Sequence, residues 1–83
     1  MKVQLRYFAA IREAIGQGSE SCATQAATLQ GLRDELIARG GAYAEVLAHG
    51  QAVRMALNQD LCDESAALSD GCEVAFFPPV TGG

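Results

Sequence analysis

The side chains able to do chemistry in this 83-residue sequence are few and scattered. Cys22, Cys62 and Cys72 are three in number, so they cannot all pair within one chain, and none stands in a C-x-x-C motif. His49, in "LAHGQA", is the single histidine, and no zinc-ligand spacing surrounds it. We therefore expect no metal site, read His49 as a surface residue in a turn, and read the cysteines as buried or half-buried thiols. The glycines of "GQGSE" lack a following lysine and the G-x-x-x-x-G-K spacing of a phosphate loop. No nucleophile–base triad and no carboxylate pair in a recognisable setting is present. What remains is the end of the sequence, "FFPPVTGG", Phe76 to Gly83. Pro78 and Pro79 cannot donate ladder hydrogen bonds, so a sheet should end near Phe77 and continue as a stiff, extended segment. From Pro78 to Gly83 such a segment, through Val80, Thr81 and Gly82, could reach roughly 20 Å. Gly82 and Gly83 carry no side chain and can thread a channel too narrow for other residues. The chemical function at the tip is then the α-carboxylate of Gly83. Coupled to AMP it becomes an acyl adenylate, which a sulfur nucleophile can convert to a thiocarboxylate, a sulfur donor held on a stick. The alternative is an inert glycine end.

The body must position that tail. Its length allows one domain, expected over residues 1–77, with 78–83 as the extended tail. A hydrophobic fraction of 49% with 19% charged residues is that of an ordinary globular chain. No apolar run approaches the ~20 residues of a membrane span, and the alternating "MKVQLRYFAA" is not a signal peptide, so a cytoplasmic address is expected. The net charge is −4, and the six basic residues form no stripe, which argues against nucleic acid. Acidic residues thicken toward the end at Asp60, Asp63, Glu64, Asp70 and Glu73. They are read either as a solvated face or as a guide toward a basic partner.

Along the chain, "KVQLRYF" alternates: Val3, Leu5 and Tyr7 share one face, and Lys2, Gln4, Arg6 and Phe8 the other. "AAIREAIG" reads as a short helix ending at Gly16, "GQGSE" as a turn, and "SCATQAA" as a weak second strand paired with the first. Thr28 looks like the N-cap of the main helix, "LQGLRDELIARGG", with Leu29, Leu32, Leu36 and Ile37 on one stripe and Gly40 and Gly41 at its end. "AYAEVLAHG" is read as another short turn of helix. "AVRMALN", a brief "LC" and "CEVAFF" complete the strands, with turns at "NQD" and "LSDG". In the last strand Val74 and Phe76 face one way, and Glu73, Ala75 and Phe77 the other. One amphipathic helix on one face of a small mixed sheet is the plan of the β-grasp, or ubiquitin-like, α+β fold. It leaves Phe8 and Phe77 on the uncovered face, with Leu61 beside a turn, and clustered exposed apolar residues suggest a partner surface.

These segments resemble a known family. "YFAAIREAIG", "ALNQDL" and above all "LSDGCEVAFFPPVTGG" are similar to the MoaD-type sulfur carriers, small subunits of molybdopterin synthase in the MoaD/ThiS ubiquitin-like group. The resemblance runs over essentially the whole chain, although residues 40–51 and 63–68 follow no pattern of the family. It implies that an adenylyltransferase of the ubiquitin-activating type, which uses ATP, adenylates Gly83, and that the product becomes the thiocarboxylate. It implies a heterotetramer in which two small subunits flank a dimer of large subunits. Residues 78–82 would insert into the large subunit, whose own lysine and substrate-binding residues act there, with no cofactor bound to the small subunit. Sulfur would pass to cyclic pyranopterin monophosphate to form the molybdopterin dithiolene. Phe8, Leu61 and Phe77 match residues that such proteins place at the partner interface. A carrier for another pathway, such as thiamin thiazole synthesis, and a ubiquitin-like protein modifier are the alternatives.

Overall fold

The computed structural model describes residues 1–79. The strands and helices follow in the order β1 (Lys2–Tyr7), α1 (Ala9–Ile15), β2 (Ser19–Ala23), α2 (Leu29–Ile37), α3 (Gly41–Leu47), β3 (Arg54–Leu57), β4 (Asp60–Cys62) and β5 (Glu73–Phe77). They form one five-stranded sheet in the order β2-β1-β5-β3-β4. β5 runs parallel to β1 and antiparallel to β3, and the two outer pairings are antiparallel hairpins. This is the mixed β-grasp sheet that the element order suggested.

Period-two alternation explains which face is covered. Val3, Leu5 and Tyr7 of β1 join Val74 and Phe76 of β5 and Leu29, Leu32 and Leu36 of α2 in one buried cluster. Tyr7 stacks on Phe76 at 6.2 Å between ring centroids, with Tyr43 edge-on to Tyr7 at 6.3 Å. Glu20 closes that side of the core: its carboxylate accepts from the hydroxyls of Tyr7 and Tyr43 and from Arg39 and Gln17. Burial works to raise the Glu20 pKa, but the hydrogen bonds from Tyr43, Arg39 and Tyr7 outweigh it and hold the carboxyl below its usual range. The Tyr7 hydroxyl is pushed far up, first by burial and then by the adjacent Glu20 carboxylate.

Several boundaries differ from the sequence reading. β2 starts at Ser19, inside the expected turn, and stops at Ala23. The Thr24 hydroxyl accepts from the Ala26 N–H and donates to Glu35, which bends the chain away from the sheet. Thr28 is the N-cap of α2, as expected, and accepts from the Gly31 N–H at 3.3 Å. The helix ends at Ile37, before Gly40 and Gly41; Gly40 is the N-cap of α3 and Gly41 its first residue. On the apolar stripe Ile37 is only half-buried, and the buried residue beside the leucines is Arg33. His49 is exposed, but it has a partner the sequence did not reveal, Asp34 on α2.

Arg33 is 4% exposed and its guanidinium forms a cross-link. It donates to the carbonyls of Leu47 and Ala48 at 2.7 Å and of Gln51 at 3.3 Å, and it pairs with Glu64. One side chain thereby ties α2 to the segment after α3 and to the segment after β4. That last segment also satisfies the start of α2, because the Leu29 and Gln30 N–H groups donate to the carbonyls of Ala66 and Glu64.

Two predictions follow from these contacts. Arg33→Ala leaves the buried Leu47 carbonyl, two further carbonyls and Glu64 without their partner, so stability in urea unfolding should fall by on the order of 3 kcal/mol. At the β3–β4 turn, Asn58 and Gln59 have φ of 51° and 72°, a two-residue hairpin of the I′ kind. Gln59→Gly removes the left-handed cost of a side chain there and should raise stability by about 0.5–1 kcal/mol in the same assay.

Candidate functional site

The sheet face turned away from α2 carries the residues singled out as a partner surface. Phe8 follows β1 and is the N-cap of α1; its N–H donates to the Phe76 carbonyl at 3.2 Å, so it still lies against β5. The next residue, Ala9, has a φ of 53°, and this left-handed kink turns the chain into α1 with Phe8 left outside the core. Phe8 is 41% exposed. Leu61 lies in β4 directly opposite Ala56 of β3, which in turn lies opposite Ala75 of β5. At 74% exposure Leu61 is the most uncovered large apolar side chain among the described residues. Phe77 ends β5, half-buried, opposite Arg54.

Phe8, Ala56, Gln59, Leu61, Ala75 and Phe77 line one shallow depression of about 430 Å³. Residues distant in sequence are brought together because β5 sits between β1 and β3. Phe8, Leu61 and Phe77 therefore form one surface. Alternation had marked Phe8 and Phe77. Alternation had also set Ala75 on the face of Phe77; Ala56 was not singled out, although its alternation with Met55 and Leu57 in β3 was the available signal.

The hairpin that presents Leu61 is anchored to β5. Asn58 donates its N–H to the Glu73 carbonyl at 2.8 Å and accepts the Glu73 N–H on Oδ1 at 3.0 Å. The chain leaves the sheet after Phe77, and Pro78 and Pro79 lie outside the strand, both half-buried. The remaining residues expected to form the tail, Val80, Thr81, Gly82 and Gly83, lie outside the described residues. A second groove of about 380 Å³ runs along α1 and α3 to Pro78; Ala10, Ile11, Ala14 and Val46 line much of it, and Glu45 is its one ionisable side chain.

The side chains of the described residues assemble no reaction centre. They gather no group of three or more His, Cys, Asp or Glu able to hold a metal. Cys22 and Cys72 are buried, and Cys62 is half-buried. Burial pushes the Cys22 and Cys62 thiols up, away from the reactive thiolate. No helix among the described residues is long and apolar enough to cross a membrane.

The chain is similar along its whole length to known proteins. The molybdopterin synthase sulfur carrier subunit of Escherichia coli is 38% identical over 81 residues, covering 98% of this chain and 99% of the relative. The protein of the same name from Mycobacterium tuberculosis is 41% identical over 85 residues, covering 100% and 99%. Among solved structures, a protein–protein complex of subunits 1 and 2 of the molybdopterin-converting factor from Helicobacter pylori contains a chain 30% identical to this one. The two superpose with a TM-score of 0.70 over 100% of both chains. The family model for the ThiS family matches residues 5–83, nearly the whole sequence, and the chain belongs to the ThiS family.

Proposed function

We propose that this chain is the sulfur-carrying subunit of a molybdopterin synthase. The observation that carries the reading is the apolar depression of Phe8, Leu61 and Phe77 at the root of the segment that begins at Pro78. A protein that seats this face against a partner directs whatever follows Phe77 into that partner. The names and coverage of the relatives and the neighbouring two-subunit complex support the same assignment.

In this reading a ubiquitin-activating-type adenylyltransferase joins the Gly83 carboxylate to the AMP portion of ATP and releases pyrophosphate. A sulfur nucleophile then displaces AMP and leaves the thiocarboxylate. Residues 78–82 carry it into the active site of the large subunit, whose residues catalyse sulfur transfer to cyclic pyranopterin monophosphate. Two such transfers make the dithiolene, and each returns Gly83 to a carboxylate. The head supplies binding energy and aim, and no side chain of its own needs to be a catalyst. A heterotetramer with a small subunit at each end is the proposed assembly, working in the cytoplasm.

Intact-mass measurement of the protein purified from its own cells tests the chemistry. We expect a fraction heavier by the difference between one sulfur and one oxygen, located at Gly83 and lost when the adenylyltransferase is deleted. Deletion of Gly82 and Gly83 should abolish molybdopterin formation while leaving the head folded. High-mass conjugates through Gly83, with no sulfur-bearing form in cells making the cofactor, would establish the modifier reading instead. For the docking surface, Leu61→Asp should weaken binding to the large subunit at least tenfold in calorimetry, with thermal stability little changed because the side chain is already in water.

A further inference from the structure

The sequence reading left the acidic residues of the C-terminal half as a solvated face or a guide toward a basic partner. Four of the five named there are engaged locally. Glu64 holds Arg33, Glu73 stands 3.6 Å from Arg6, Asp70 accepts the Lys2 N–H, and Asp63 accepts from Ser65. The cations divide differently. Arg33 and Arg39 are consumed on the helix side by Glu64 and Glu20. Arg6 is exposed and pairs with Glu73, whereas Arg12 and Arg54 are exposed without such a partner.

Each is placed by a contact already described or by one on the same surface. The Arg6 guanidinium lies over the Phe8 ring, 5.6 Å from its centroid. Arg12, one helical turn after Phe8, lies along Gly18, where an added Cβ would stand 3.1 Å from its Nε. With Phe8, Ser19 and Glu73, these groups line a hollow that shares Phe8 and Glu73 with the apolar depression. Arg54 pairs across the strands with Phe77 and so projects from the same face. Among the described residues neither Arg12 nor Arg54 has a carboxylate in ion-pair range.

A chain of net charge −4 thus carries two unpaired arginines, Arg12 and Arg54, at the rim of the apolar patch, while the patch's own carboxylate, Glu73, is paired with Arg6. We propose that Arg12 and Arg54 select a protein partner whose matching surface has an apolar centre bordered by carboxylates, and that they speed its docking. The inference rests on the proposed function and takes the synthase large subunit as that partner. Rim charges of this kind act on the association rate and its salt dependence more than on dissociation.

The test is stopped-flow association of the full-length chain with the large subunit from the same organism, from 20 mM to 500 mM salt. Arg12→Gln/Arg54→Gln and Gln25→Glu/Gln30→Glu each lower the net charge by two, the first at the rim and the second elsewhere on the surface. We expect the arginine pair to lose roughly fivefold to tenfold in association rate at low salt, with the loss vanishing at high salt. The glutamine pair should lose much less, and dissociation should change by under about twofold in both. An arginine pair that associates as fast as the wild type, or faster, or no slower than the glutamine pair, overturns the inference. Failure of the wild type to bind the large subunit at all would instead overturn the proposed function. Binding that is lost in Leu61→Asp but indifferent to the arginines would remove the basic-rim inference alone.

Discussion

The structure depends on β5 lying between β1 and β3. Without residues 73–77 the sheet is two separate strand pairs, β2–β1 and β3–β4. With them, Val74 and Phe76 close the core on one face while Ala75 and Phe77 complete the apolar depression on the other. The pairing of β1 with β5 joins strands at opposite ends of the chain. Such non-local pairing is costly in loop entropy and slow to form. Stability and docking surface are therefore two faces of the same five residues.

The two sides of the sheet treat charge in opposite ways. Beneath α2 and α3, charge is spent internally. Arg33 satisfies three carbonyls and Glu64, and Glu20 accepts from two tyrosines, Arg39 and Gln17. These networks are worth keeping only because every member is satisfied, since a buried donor or acceptor left alone costs about 1–3 kcal/mol. The described residues leave no buried side-chain polar atom without a partner. On the open face, Phe8, Leu61, Arg12 and Arg54 remain in water.

Much of this was legible in the sequence because the signals are local. Alternation in "KVQLRYF" and "CEVAFF" is enough to set Phe8 and Phe77 on the uncovered face, and Thr28 before a leucine stripe is enough to start α2. The role of Arg33 was not legible by residue type, although it lies four residues after Leu29 and hence on the leucine stripe. Polar residues on such a stripe are normally read as its edge, and only the backbone carbonyls that arrive from the segment after α3 make burial possible. The early end of β2 reflects its partner strand running out: Thr24 still exchanges both backbone hydrogen bonds with Met1, and its hydroxyl then accepts the Ala26 N–H and turns the chain. The basic rim was invisible for a different reason. Strand register sets Arg54 opposite Phe77, and Arg12 joins Phe8 in one hollow, neither of which composition records.

Ala56 and Ala75 face each other across β3 and β5 in the middle of the docking surface. Each is almost fully buried, yet both line the depression, because a methyl group is all that stands between the sheet and the solvent. The hollow exists because side-chain volume is missing at these two positions while Phe8, Leu61 and Phe77 rise around them. A leucine at either site would keep the surface apolar yet convert a socket into a dome. The shape of this face is therefore negative relief, carried by the least conspicuous residues in it.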